Sequence, residues 1–331
     1  MSGIIRTLGG DLAAADAGPT YVHEHLIIDS PLIATRRPEI HLPSAEEGVA
    51  EVQTCIGAGV RTMVDAMPAA SGRNPERLAR VGVLTGMRIV ASTGLHTSKY
   101  YETVGWTWSE SPEQLAERFI ADIEVGIDRH DYLTGEPDRT SLRAGIIKVG
   151  SLTEELSSRD QRLFEAAAVT SERTGAPILT HTEGGLGGMS QINRLLDLEV
   201  DPGRIALSHT DKIGDPGYHE EMLSTGVSLC YDQALRWTGD NQTASLTEAM
   251  IAAGFGGQLL VGTDGARRSL WATLGGSPGL AWLHGGFPEL LADRGLARGD
   301  IDRIFIDNPA RYLSLAGHSS DAADSSARTV A

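Results

Sequence analysis

The sequence predicts an α/β protein built as one (β/α)8 barrel, the TIM-barrel architecture, over residues 1–315. Three observations point there. Eight short apolar runs alternate with helical stretches, and no Pro- or Ser-rich linker divides them. Several runs end in a residue that can bind a metal or carry a proton, and barrel active sites gather where the strands end. The first run continues His25-Leu26-Ile27-Ile28-Asp29 without a glycine, whereas a doubly wound dinucleotide-binding sheet normally has a Gly-rich turn there.

In order, the first strand is expected at 20–28, followed by a loop over 29–43. Ser44 opens a helix with Glu46 and Glu47 in its first turn, where a cap and acidic side chains are favoured. A second strand at 60–66 precedes a helix started by Asn74-Pro75-Glu76, and a third strand follows at 88–94. The insert 95–109 holds Tyr100, Tyr101, Trp106 and Trp108, an aromatic density that reads as a loop over a pocket. Ser111-Pro112-Glu113 caps a helix to about residue 128, before the fourth strand at 144–150. Helix 160–174 leads to the strand ending at His181, and helix 187–197 to the strand ending at His209. Gly184-Gly185 and Gly187-Gly188 read as a flexible loop beside the site. Helix 216–225, strand 227–232, helix 247–253 and strand 258–264 complete the barrel. Helices near 279–294 and 299–315 close it, and 316–331 is small, polar and expected to be disordered.

With 331 residues and 41% hydrophobic content the chain can bury a large core. A formal net charge of −16 repels a nucleic-acid backbone or an anionic membrane surface, so neither is an expected partner. Cys55 and Cys230 are the only cysteines, too few for a disulfide framework. They read as core thiols. The N-terminus lacks a secretory pattern, and no stretch nears the roughly 20 apolar residues of a membrane span. A cytoplasmic, soluble protein is expected.

The chemistry lies at the strand ends. In a strand, His23 and His25 point to one face while Val22 and Glu24 point to the other. Alone, such a pair is a weak signal. With Lys148 of the fourth strand, His181 of the fifth, His209 of the sixth and Asp264 of the eighth, it becomes a converging set of metal-ligand types. Lys148 is the odd member, since an ammonium beside cations would be expelled. Two readings stand: a neutral amine that adds carbon dioxide to become a bridging carbamate, or a lysine paired with Asp264 or Glu183 in a metal-free site. Asp65 reads as a support for a ligand histidine. His96, just past the third strand, could touch substrate.

Gly18-Pro19-Thr20-Tyr21-Val22-His23-Glu24-His25-Leu26, Ile146-Ile147-Lys148-Val149-Gly150, Thr180-His181-Thr182-Glu183-Gly184-Gly185, Ser208-His209-Thr210-Asp211-Lys212 and Gly262-Thr263-Asp264 together resemble the phosphotriesterase family of the amidohydrolase superfamily. The resemblance runs in order from about Gly18 to Tyr312. It implies a binuclear centre, usually zinc. His23, His25 and Asp264 would hold the more buried ion, and His181 and His209 the more exposed one. Carboxylated Lys148 would bridge them with a hydroxide, and Asp264 would take the proton as hydroxide attacks.

Within the family, the segments around His209–His219 and Asp264–Gly279 look most like the sugar-lactone lactonases. That likeness implies a small lactone substrate, with or without a phosphate, the phosphate being held by Lys212 and Arg267. A tyrosine common three residues after that arginine is Leu270 here. Lys212, Arg267 and Arg268 could instead pair with Asp211, Asp215 or Glu183. Arg236 and Tyr100 are further candidate substrate contacts. The family also implies a homodimer. Alternatives are an organophosphate triester hydrolase, an acyl-homoserine lactonase, a mononuclear deaminase-like barrel and a non-catalytic binder.

Overall fold

Residues 3–317 are described by a computed structural model, and the chain begins with an antiparallel hairpin, β1 (Ile4–Thr7) and β2 (Gly10–Ala13). Eight strands then follow in a parallel ring: β3 (Thr20–Glu24), β4 (Thr62–Asp65), β5 (Arg88–Gly94), β6 (Ala144–Ser151), β7 (Ile178–Thr182), β8 (Ile205–Ser208), β9 (Ser228–Tyr231) and β10 (Leu259–Val261). Each pairs with the next in the chain. The ring shuts where the N–H groups of Thr263 and Asp264 donate to the His23 carbonyl, at 3.2 and 3.0 Å. Gly262 makes that seam possible. A Cβ there would lie 2.7 Å from both the nitrogen and the oxygen of His23. The expected (β/α)8 barrel is the observed fold.

Why these residues close a barrel is visible in its interior. Val22, Val64, Val90, Ile146, Leu179, Ala206, Cys230 and Leu260, one from each strand, form a single apolar layer. Ile5 of the hairpin, Ala17 and Tyr312 seal it at the N-terminal end of the strands. Burial of each large aliphatic side chain favours the fold by about 1.5–3 kcal/mol. The period of two then sets what stands above that floor. Two residues past Ile146 is Lys148, past Leu179 is His181, past Ala206 is Ser208 and past Cys230 is Asp232. A second, larger apolar cluster, with Tyr21, Met63, Ile89, Ile147, Phe164 and Leu229 among its members, fills the space between strands and helices.

Helices begin where the capping residues stand. The side chains of Ser44, Asn74, Ser111 and Ser157 each accept a backbone N–H of the first turn, and Ser111 and Ser157 complete capping boxes. Differences from expectation are local. The hairpin of residues 4–13 was not foreseen. The expected loop 29–43 contains a helix, Pro31–Arg36, capped by Ser30 and opened by a proline at its first position. The helix from Pro112 ends at Glu124. The closing helices are broken: Gly286 separates Trp282–Gly285 from Phe287–Asp293. A π turn over Arg303–Asp307 precedes Asn308–Leu313, where Pro309 has no N–H to continue an α ladder. Among the described residues no helix is long and apolar enough to cross a membrane. The expected disordered tail lies, from residue 318 on, outside the described residues.

Candidate metal centre

The ring delivers its side chains to one mouth, although not by strict alternation. β3 carries one residue more than β4 between the pairs Tyr21–Met63 and Glu24–Asp65. That bulge lets Val22 join the interior floor while His23 still reaches the mouth. His209 and Asp264 sit just past their strands with φ of 71° and 45°. Left-handed backbone at a residue with a side chain is unfavourable, on the order of 1–3 kcal/mol, and is found where geometry at a site demands it.

Asp232, at the end of β9, organises the histidines. Its Oδ2 lies 2.8 Å from His23 Nδ1 and its Oδ1 2.8 Å from His209 Nδ1. A carboxylate accepts, so both Nδ1 atoms carry protons and both Nε2 atoms keep free lone pairs. His181 is fixed in the opposite sense: its Nε2 is 3.0 Å from Glu183 Oε2, which leaves Nδ1 free. That Nδ1 faces His209 Nε2 at 2.9 Å. Two lone pairs so close repel unless a proton or a cation stands between them. His25 Nε2 approaches Asp264 Oδ1 at 3.5 Å, and His23 Nε2 the same oxygen at 4.0 Å, while His25 Nδ1 is buried with no partner. The donor set fits divalent cations in two places. One is framed by His23, His25 and Asp264, and the other by His181 and His209. His23, His209 and Asp232 also cluster tightly. Because Asp232 occupies the Nδ1 edges, its part there is to hold the rings.

Lys148 Nζ lies between these sets, 3.4 Å from His23 Nε2 and 2.9 Å from Ser208 Oγ. Neither carboxylate offered as its partner reaches it. Asp264 Oδ2 accepts from Arg236 at 2.9 Å, and Glu183 Oε2 accepts from Lys99 at 2.7 Å. Burial pushes the Lys148 ammonium down to about 8. Burial likewise lowers His25 to about 3 and His181 to about 4, so these imidazoles are neutral lone-pair donors near pH 7. Burial alone would raise Asp264, but Arg236 and the imidazoles of His209 and His23 outweigh it and hold the carboxyl well below its ordinary range.

The mouth opens into a cavity of about 200 Å³. His23, His25, His181, His209 and Asp264 line it, with Arg37, Lys99, Tyr100, Lys212, Arg236 and Arg267 around them. A larger cavity, about 570 Å³, lies at the other end of the barrel beside Gly175 and Arg204 and touches none of the candidate ligands. Lys212 and Arg267 make none of the expected ion pairs, and with Arg37 they present side chains to the cavity that have no partner among the described residues. Arg268 is turned away, bound to Glu47 at 2.9 and 3.1 Å.

The remaining side chains divide between cavity wall and structural support. Arg236, expected as a substrate contact, gives its NH1 to the carbonyls of Asp232 and Thr263 and its NH2 to the carbonyl and Oδ2 of Asp264. Its guanidinium holds Asp264 while remaining part of the cavity wall. Of the aromatic insert only Tyr100 lines the cavity. The Tyr101 hydroxyl is a buried strut between the His96 N–H and the Ala69 carbonyl, Trp106 packs on Tyr132, and Trp108 donates to the Tyr101 carbonyl. Asp65 accepts the N–H groups of Leu26, Ile27 and Met67, supporting the turn after β3 instead of an imidazole. Asp232 itself was passed over in the sequence as a strand end. Its place, directly after an apolar strand as Asp264 is, was the one available signal.

Comparison with known proteins agrees with this architecture. Residues 3–313 match the profile of the Phosphotriesterase family. The chain is 29% identical over 322 residues to a phospho-furanose lactonase of Mycoplasmopsis agalactiae, covering 94% of this chain and 91% of that protein. Among solved structures it is similar to an amidohydrolase from Mycoplasma synoviae, with TM-score 0.91, 27% identity and coverage of 96% and 93%. It is also similar to a lactonase from Listeria monocytogenes, with TM-score 0.85, 26% identity and coverage of 94% and 99%.

Proposed function

This chain belongs to the phosphotriesterase family of metal-dependent hydrolases, and we propose that within it the protein is a lactonase that opens a small, anionic sugar lactone. One observation carries the reading. The free ligand atoms of four imidazoles and of Asp264 converge on a cavity whose rim holds three cations without partners, Arg37, Lys212 and Arg267. In a protein of net charge −16, unpaired cations around one cavity favour an anionic substrate there, and a lysine with guanidinium forks suits a phosphate. The small cavity fits a five- or six-membered lactone ring better than a long acyl chain.

In this reading His23, His25 and Asp264 would hold one divalent ion, zinc by preference, and His181 and His209 would hold a second. Lys148, once carboxylated, would add an anionic ligand to the same centre. The bound ions supply Lewis acidity that activates a water and polarises the substrate carbonyl. The protein does the rest. Asp264 Oδ1 accepts the proton as water adds to the carbonyl carbon, and returns it to the ring oxygen as the carbon–oxygen bond breaks. Arg236 fixes Asp264 through Oδ2, which leaves Oδ1 as the working atom. Lys212, Arg267 and Arg37 hold the anionic end of the substrate, which orients the carbonyl toward the ligand cluster. The phospho-furanose lactonase relative supports the substrate class.

The deciding experiment is an assay of metal-loaded protein against five-membered sugar lactones with and without a phosphate, acyl-homoserine lactones and aryl dialkyl phosphates. The phosphorylated sugar lactone is expected to give the highest kcat/KM. Turnover of triesters with none of any lactone would overturn the assignment.

A further inference from the structure

His96 is a buried histidine that neither candidate ligand set uses. It follows β5, is 8% exposed, and lines the cavity. Its ring meets Tyr100 edge-on, with centroids 4.4 Å apart, and His181 at a tilt, at 4.6 Å. Its backbone is pinned as well: its N–H donates to Tyr101 Oη at 2.6 Å and its carbonyl accepts both Arg159 nitrogens, at 3.4 and 3.3 Å. Neither clustered ligand set includes it.

The decisive contact is local. The backbone N–H of Thr97 points at His96 Nδ1 from 2.7 Å. A backbone N–H can only donate, so Nδ1 accepts and carries no proton. The neutral ring must then bear its proton on Nε2. No side chain or backbone group among the described residues accepts that proton. An imidazole N–H held in place on a cavity wall, without a protein acceptor, is a donor waiting for the ligand.

We propose that His96 Nε2–H is a fixed hydrogen-bond donor to a hydroxyl oxygen of the bound lactone, so that the site selects hydroxylated rings over rings of the same size that lack the hydroxyl. This rests on the lactonase reading and adds what that reading leaves open, namely which feature of the ring is recognised. Carbonyl and ring oxygens meet the ligand cluster. A donor beside the cluster meets the ring substituents. A ring without the hydroxyl displaces water from this donor and returns no acceptor, so the hydroxylated ring is favoured.

The test compares kcat/KM for a five-membered aldonolactone with that for γ-butyrolactone, in the metal-loaded wild type and in three variants. His96→Phe removes both nitrogens. His96→Asn keeps an acceptor for the Thr97 N–H but has nothing at the Nε2 position. Both are expected to lower the aldonolactone value about tenfold while leaving the γ-butyrolactone value and the metal content unchanged. His96→Gln, whose amide nitrogen reaches the Nε2 position, is expected to recover much of the loss. Equal effects on both lactones, no effect on either, or loss of metal in His96→Asn would overturn the proposal. If His96→Phe does not fold, His96→Asn and His96→Gln decide the matter between them. A wild type that opens neither of these lactones nor the phosphorylated sugar lactone defeats the lactonase assignment and this inference with it, whereas unchanged selectivity in the variants defeats the inference alone.

Discussion

One carboxylate, Asp232, takes the Nδ1–H of His23 on one oxygen and that of His209 on the other, each at 2.8 Å. The two rings belong to different candidate ion positions, so one side chain orients a ligand of each. Burial works against ionised Asp232, and the two imidazoles more than offset it, so the group stays a carboxylate. Asp232→Asn leaves one oxygen where two are needed and turns a donor toward one Nδ1. The affinity for both ions should fall by about 10- to 100-fold, as losses of such supporting partners do. Competition with a chelator, followed by metal analysis, measures it; loss of one ion with the other unaffected would show that the tether is not shared.

The proposed carbamate at Lys148 needs a neutral amine. Its amine is buried and lacks a carboxylate partner, and burial pulls its pKa from 10.5 down to about 8, so far more of it is neutral near pH 7. Lys148→Ala should therefore lose bound metal as well as activity. Wild-type protein reconstituted with zinc and 13C-labelled bicarbonate should show a carbamate carbon resonance that the variant lacks. Full metal content in Lys148→Ala would favour a mononuclear site.

Arg236 touches Asp264 and three backbone carbonyls. A hydrogen bond to a charged group contributes roughly 1.5–3 kcal/mol. Arg236→Met should lower kcat by about 10- to 100-fold with little change in KM, because what is lost is the placement of the proton acceptor. A rise in KM at constant kcat would restore Arg236 to the substrate.

Lys212 and Arg267 should behave in the opposite way. Arg267→Ala and Lys212→Ala are expected to raise KM for a phosphorylated lactone by about tenfold or more and to leave its unphosphorylated counterpart nearly unaffected. Inorganic phosphate should inhibit the wild type competitively and the variants weakly. Steady-state kinetics with both substrates decides this, and equal losses on the two would remove the phosphate pocket.

Glu24 is the clearest pH-sensitive group away from the cavity. It is buried at the seam, where it accepts the N–H and hydroxyl of Thr263, and burial lifts its carboxyl to about 8. A raised carboxyl pKa means that the folded state holds a proton the unfolded chain releases above 4.5. Its contribution is therefore complete below pH 4.5 and disappears as pH rises through about 8. Glu24→Gln copies the protonated form, accepting the N–H and donating to the hydroxyl. It should flatten the fall in stability between those pH values, with a gain on the order of a few kcal/mol at pH 8. Denaturant melts across that range test this; a variant less stable than wild type at pH 8 would show that the carboxylate is accommodated.

Much of this was legible in the chain. All eight barrel strands fell where expected, because each is an apolar run and the helices between them carry their own caps. The candidate ligands were legible for a related reason: period-two geometry places Lys148 and His181 directly above interior floor residues of their own strands. Such relations are local and survive in one dimension. The hairpin of residues 4–13 escaped because its value lies in plugging the far end of a barrel that must first exist.

By itself, then, the sequence determined the barrel, its strand ends and the residue types brought to them. Only the tertiary structure decided how those residues share their atoms. Asp232 serves two rings from different strands, and Arg236, on the cavity wall, holds Asp264. The physical reason is that hydrogen bonds act over about 3 Å and in particular directions. Which donor meets which acceptor is settled when the ring closes, as for His23 and Asp232, 209 positions apart.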